Sequence, residues 1–215
     1  MLEKSLATLF ALLILATLIN RFLVWRLPER KGDEVTLRIR TWWGIVICFS
    51  MVISGPRWMT LTFFALISFL ALKEYCTLIS VHFPRWLYWG IPLNYLLIGF
   101  NCFELFLLFI PLAGFLILAT WRVLVGDPSG FLHTVSAIFC GWIMTVFALS
   151  HAAWLLMLPT TNIQGGALLV LFLLALTESN DIAQYLWGKS CGRRKVVPKV
   201  SPGKTLEAVS YTHLT

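Results

Sequence analysis

GGALLVLFLLALTESNDIAQYLW, Gly165 to Trp187, decides how the rest of the chain is read. From Gly165 to Leu176 it carries no polar side chain, and the polar residues Thr177, Glu178, Asp181 and Gln184 arrive only near its end. Roughly 20 helical residues cross a hydrocarbon core about 30 Å thick. The stretch is long enough for that crossing, and it meets the far boundary with carboxylates rather than with more leucine.

The remainder of the chain agrees. Of its 215 residues 59% are hydrophobic and 13% charged, with a mean hydropathy of +0.82. Soluble domains are about 45–50% apolar and about 25% charged. An all-α, polytopic transmembrane helical bundle of about seven helices is expected, and a water-soluble globular protein is excluded. Apolar runs and their polar breaks place the helices at about Ser5 to Trp25, Trp42 to Ile53, Trp58 to Leu72, Leu87 to Phe100, Phe103 to Trp121, Phe131 to Leu158 and Gly165 to Trp187. The second and fourth are short, consistent with tight hairpins or partly re-entrant segments, and the sixth is long enough to tilt or kink. Leu6 to Leu23 lacks a small-residue cleavage pattern and reads as a retained first helix rather than a secretory leader. The five cysteines show neither CxxC nor His-paired spacing and read as small hydrophobes.

Lysine and arginine collect on the cytoplasmic side of membrane proteins. With seven crossings, all of the 17 basic residues except Lys4 and Arg57 fall on one side. That puts the amino terminus outside and the segment after Trp187 in the cytoplasm, so the net charge of +7 belongs to one surface. Such a surface attracts anionic headgroups and phosphates, at about 1 kcal/mol per basic residue near an acidic leaflet. Topology alone also accounts for it, especially in the mixed-charge stretch 26–40.

On a helix advancing about 100° per residue, Thr177, Glu178, Asp181, Gln184 and Tyr185 share an arc of roughly 120°. A carboxylate at membrane depth costs roughly 2.5–3.5 kcal/mol on insertion scales, so it faces water, a cation or a basic partner. Three readings are open: Glu178 and Asp181 snorkel to the interface, pair with Lys189, or hold a divalent cation completed by water and phosphate oxygens.

The strip that follows, GKSCGRRKVVPKVSPGKT from Gly188 to Thr205, is strongly basic. Its GKT ending is not a P-loop, because Pro198 stands where that motif needs its first glycine. What remains is a flexible basic loop. Gly188, Gly192 and Gly203 permit close backbone approach, Pro198 and Pro202 stiffen it, and Ser201 and Thr205 supply hydroxyls. Carboxylates for a metal beside lysines for phosphates are the parts that phosphoryl or nucleotidyl transfer requires, since that chemistry is largely positioning and charge neutralisation.

NDIAQYLWGKSCGRRKVVPKVSPGKTLE, Asn180 to Glu207, resembles the phosphatidate cytidylyltransferase (CDP-diacylglycerol synthase) family. That family has an Asp followed by Tyr and Gly, a basic stretch, then PK-[IV]-SP-x-KT-x-EG. The matching positions are Asp181, Tyr185, Gly188, Gly192, Lys195, Pro198, Lys199, Ser201, Pro202, Lys204, Thr205 and Glu207. Within the family the chain is most similar to cytidylyltransferase-like membrane proteins of enterobacteria.

The resemblance implies a membrane-bound nucleotidyltransferase of phospholipid biosynthesis. Such an enzyme moves a cytidylyl group from CTP to phosphatidate and yields CDP-diacylglycerol and pyrophosphate, with Mg²⁺ and, as an open addition, K⁺. It implies Asp181 as metal ligand with Glu178 auxiliary to it, and Asp181, Lys199, Ser201 and Lys204 as the catalytic set. Tyr185, Lys195, Lys199, Ser201, Lys204 and Thr205 would contact substrate. CTP and a phosphatidate lipid are the expected partners, nucleic acid is not, and a homodimer is compatible. The expected location is the bacterial inner membrane, multi-pass, with the site facing the cytoplasm.

Family members continue to a Lys-Arg pair, a Lys-Asp pair and a His-Gly-Gly segment leading to further aspartates, which these 215 residues lack. Ala208 also replaces the expected glycine. A C-terminally truncated and inactive form is therefore expected. Val209 to Leu214 reads like a translated sequencing adaptor. The expected organisation is a transmembrane helical domain over 1–187, a basic cytoplasmic loop over 188–207 and a non-native tail over 208–215.

Other polar residues carry bland readings. His133 and His151 are expected to hydrogen-bond between helices. Glu104, Lys73 and Glu74 are expected at interfaces, and Trp42 and Trp43 at a membrane boundary. The rival to an enzyme is a transporter or scaffold whose basic face binds anionic lipid.

Overall fold

A computed structural model describes residues 2–26, 34–79, 81, 83–125, 130–158, 165–197 and 201–206. The chain separates into two compact units, Met1–Leu169 and Val170–Thr215. The helices are α1 (Leu2–Arg26), α2 (Glu34–Ser54), α3 (Arg57–Leu78), α4 (Gly90–Gly99), α5 (Phe103–Leu124), α6 (Phe131–Met157) and α7 (Gly165–Cys191). Among the described residues, all of these but α4 are long and apolar enough to cross a membrane. The expected helical membrane bundle is therefore present, but among the described residues six rather than seven segments are long and apolar enough to cross: the fourth is a single short helix preceded by a 3₁₀ turn, Arg85–Trp89, and the sidedness read from seven crossings does not follow from six.

Each break has a local cause. Pro56, at φ −65° and ψ 150°, caps α3, because proline tolerates a helix start and bars the α conformation from the residue before it. After α4, Asn101 takes a left-handed φ of 58°. Its N–H donates to the Ile98 carbonyl (3.0 Å) and the Cys102 N–H to the Leu97 carbonyl (2.9 Å), a Schellman ending with asparagine in the usual glycine place. Pro111 removes one i→i−4 donor inside α5, and the helix widens to a π turn over Phe109–Gly114. A second π turn, Ile143–Phe147, interrupts α6 where a kink is expected.

α2 starts eight residues earlier than its apolar run. Glu34 to Arg40 alternates charge with apolar side chains, so hydropathy alone misses it, but the helix is held against α1. Asn20 Nδ2 donates to Thr36 Oγ1 (3.1 Å) and Trp43 Nε1 to Thr17 Oγ1 (3.0 Å), and Trp43 also meets the Phe10 ring. Trp43 is thus a helix-packing residue inside α2.

The densest packing of the first unit lies among α3, α4, α5 and α6, where Leu61, Leu72, Ile98, Phe106, Ile110, Leu118 and Ile138 are fully buried. Glycines let aromatic rings close in. Gly141 receives the Tyr75 ring, whose hydroxyl donates to the Ala137 carbonyl at 2.8 Å. His151 Nδ1 meets the Phe147 carbonyl of its own helix at 2.7 Å and packs on the Phe106 ring, so its polar contact is within α6 and not between helices.

Candidate functional site

In the second unit, the last turns of α7 carry the polar stripe. Thr177 turns its hydroxyl back onto the carbonyls of Leu173 and Leu174 (3.1 and 2.9 Å), which satisfies it without a tertiary partner. Glu178 and Tyr185 are half-buried and Asp181 is exposed. At about 100° per residue, Glu178, Asp181, Tyr185, Gly188 and Gly192 fall within an arc of about 80°. The carboxylates and the two glycines therefore share one face.

Lys189 Nζ is held by Tyr185: it lies 3.4 Å from the phenol oxygen and 5.6 Å from the ring centroid. It stands eight residues beyond Asp181, about 12 Å of helical rise. Of the open readings for the carboxylates, pairing with Lys189 is thus displaced by a Lys–Tyr contact, and both acids remain available for water or a cation.

α7 ends at Cys191, one more turn closes from the Gly192 N–H to the Gly188 carbonyl (3.1 Å), and the chain then doubles back. Where a flexible loop is expected, the structure has a two-stranded antiparallel hairpin, β1 (Lys195–Val197) and β2 (Ser201–Thr205). Lys195 pairs with Thr205 and Val197 with Ser201, with an irregularity between them because β2 is the longer strand. The Leu206 N–H closes the base onto the Arg194 carbonyl at 2.6 Å. The pair of β-branched residues Val196 and Val197 was a readable strand signal, outweighed by the surrounding prolines and glycines.

The hairpin is seated on the helix end. A β-carbon on Gly192 would stand 2.7 Å from both Thr205 Cγ2 and Thr205 Oγ1, and would meet the Gly188 carbonyl as well. Only glycine admits β2 here. Thr205 Oγ1 is buried and has no hydrogen-bond partner among the described residues. Its hydroxyl is packed against the helix end and does not project into open space, which makes Thr205 a seat for the strand.

The expected site residues are thus distributed as follows. Asp181, Glu178 and Tyr185 lie on one face of α7, Lys195 is exposed on β1, and Thr205 packs on Gly192. The backbones of Ser201 and Lys204 belong to β2, which runs back to that same helix end. Lys199 and the 208–215 segment lie outside the described residues. Gly192 is the residue whose part sequence reasoning understated. Its four-residue spacing from Gly188 was the available signal.

Among the described residues no group of three or more His, Cys, Asp or Glu side chains forms a metal cage. Glu178 and Asp181, one turn apart on an accessible face, supply two carboxylates. That fits Mg²⁺ brought in with a polyphosphate, because Mg²⁺ commonly takes one or two carboxylates and completes its shell with waters and substrate phosphates. It does not fit an ion held by protein alone.

Residues 36–211 match the Cytidylyltransferase family. Over 209 residues the chain is 97% identical to "Uncharacterized protein YnbB" of Escherichia coli (strain K12), an overlap that covers 97% of this chain and 70% of that relative. No solved structure matches.

Proposed function

Starting from the fact that the chain belongs to the cytidylyltransferase family, we propose that it carries the magnesium-nucleotide part of a phosphatidate cytidylyltransferase site at the cytoplasmic face of a bacterial inner membrane. Family membership supports a CTP-using nucleotidyltransferase, and the apolar helices support a multi-pass membrane protein. The observation that carries the finer reading is the seating of β2 on Gly192, at the end of the helix face that bears Glu178 and Asp181.

In this reading, Asp181 with Glu178 holds Mg²⁺, and K⁺ is an optional companion. The bound ion neutralises charge on the triphosphate. Lys199 and Lys204 draw the remaining phosphate charge, Ser201 donates to a phosphate oxygen, and Lys195 extends the basic surface toward the lipid headgroup. Tyr185, held by Lys189, borders the acidic face and contacts the nucleotide. Asp181 stands ten residues, about 15 Å of helical rise, above the helix end. A ligand that touches both Asp181 and the hairpin must be extended along the helix, as a nucleoside triphosphate is and a lone ion is not.

The reaction is a displacement at phosphorus. A phosphate oxygen of phosphatidate attacks the α-phosphorus of CTP. The bond from that phosphorus to the oxygen bridging the β-phosphorus breaks, and pyrophosphate leaves with its electron pair. CDP-diacylglycerol remains for phospholipid biosynthesis.

The test is calorimetric titration of the detergent-solubilised chain with CTP, with and without Mg²⁺. Magnesium-dependent binding that weakens at least tenfold in Lys204→Ala supports the reading. Binding of anionic lipid vesicles with no measurable CTP affinity overturns it in favour of a lipid-binding scaffold.

A further inference from the structure

The first unit holds buried polar groups that the nucleotide site does not use. Asn94, in the middle of α4, is completely buried, and neither its Oδ1 nor its Nδ2 has a hydrogen-bond partner among the described residues. The Trp142 indole is 4% exposed, and its Nε1 is likewise buried and unpartnered. Other buried polar side chains nearby are satisfied: Ser68 and Tyr95 share a 2.7 Å bond, and Ser150 returns its hydroxyl to the Phe147 carbonyl.

Asn94 belongs to the first turns of α4, and the Trp142 ring, carried by α6, packs on Gly90 at the start of the same helix. The six-membered edge of the Trp142 ring fits between two glycines, with Cζ2 2.8 Å from where a β-carbon on Gly90 would stand and Cζ3 2.8 Å from that on Gly114. Gly90 and Asn94 are four residues apart and therefore on one face of α4. Helical side chains lean toward the amino terminus, so Asn94 leans back over the turn that begins at Gly90. The Cζ2 side of the indole, which carries Nε1, faces that turn. Gly114 closes the π turn of α5, and Trp142 immediately precedes the π turn of α6.

We propose that Asn94 and Trp142 Nε1 hold a buried water molecule at the junction of α4 with the two π turns. The donor inventory selects water. Nδ2 and Nε1 need an acceptor while Oδ1 needs a donor. A phosphate or carboxylate cannot give Oδ1 a proton, and a metal cation repels the two N–H groups. A water with two to four polar partners is the ordinary occupant of such a place, and an unsatisfied buried polar group costs about 1–3 kcal/mol. The water pins α4, which is too short to span the bilayer by itself, against the longer helices.

A double-mutant cycle on the full chain in detergent, read as unfolding temperature, tests this, together with a high-resolution structure. Asn94→Leu and Trp142→Phe should each lower the midpoint by several degrees. The double variant should be no worse than the poorer single one, and density should bridge the two side chains. Additive losses, a rise in stability with Asn94→Leu, or a direct Asn94–Trp142 hydrogen bond with no density between them overturns the proposal. If Asn94→Leu does not fold, Asn94→Asp, which keeps the shape and Oδ1, replaces it in the cycle with the same outcomes.

Discussion

Thr205 stands where a side chain on Gly192 would have to go: its Cγ2 and Oγ1 are both 2.7 Å from the position of the missing β-carbon. That contact fixes the hairpin to the end of α7, and with it the backbone of Lys204. Gly192→Ala therefore has a specific consequence. The strand must shift, and magnesium-CTP affinity should fall at least tenfold, which is about 1.4 kcal/mol. Gly44→Ala, where nothing lies within 4 Å, is the matched control and should leave affinity unchanged. Isothermal titration of both variants decides the point, and equal affinities would remove the hairpin seat from the site.

Charge removal on the acidic face separates metal binding from fold. In the longer E. coli relative, the substitution corresponding to Asp181→Asn should cut CTP-dependent CDP-diacylglycerol formation at least a hundredfold. Glu178→Gln, half-buried and auxiliary, should mainly raise the Mg²⁺ concentration required. Both changes keep shape and helix length, so circular dichroism should match the parent. Near-normal turnover in the first variant sinks the metal role.

Within the first unit, Ser68 and Tyr95 test how the bundle tolerates polar groups. Their hydroxyls are 2.7 Å apart and both residues are buried. Ser68→Ala or Tyr95→Phe strands one hydroxyl and should cost about 1–3 kcal/mol. The double variant removes both groups and should recover part of the loss. Thermal unfolding in detergent reads this directly, and strictly additive losses would argue against the pairing.

Gly141 and Tyr75 give a packing test. A β-carbon at Gly141 runs into the Tyr75 ring, which is tied by its hydroxyl to the Ala137 carbonyl at 2.8 Å. Overpacking of this kind costs about 1–3 kcal/mol. Gly141→Ala should lower the unfolding midpoint, and Tyr75→Leu introduced beside it should restore some of the loss. A neutral Gly141→Ala would show that the ring moves freely.

Much was legible in the amino-acid order because lipid is an undemanding solvent. Long apolar runs must become helices, since no water is present to satisfy backbone groups, and this determined the class of fold. The polar stripe on α7 and the family motif from Asp181 to Glu207 were equally open to reading, because helical period and residue identity are local properties. The extent of α2 was not. Its charged first turns owe their place to α1 through Asn20 and Thr36, a partner 16 residues away.

The sequence by itself determined a helical membrane protein with acids and lysines gathered at one end. Tertiary structure alone decided that the basic strip is a hairpin rather than a loose loop and that Gly192 is where the strand rests, whereas the Lys189–Tyr185 contact is a four-residue helical spacing already present in the sequence. The physical reason is the same in both tertiary cases. Hairpin pairing and a missing β-carbon depend on which atoms come within a few ångströms, and hydropathy and motif spacing do not encode that distance.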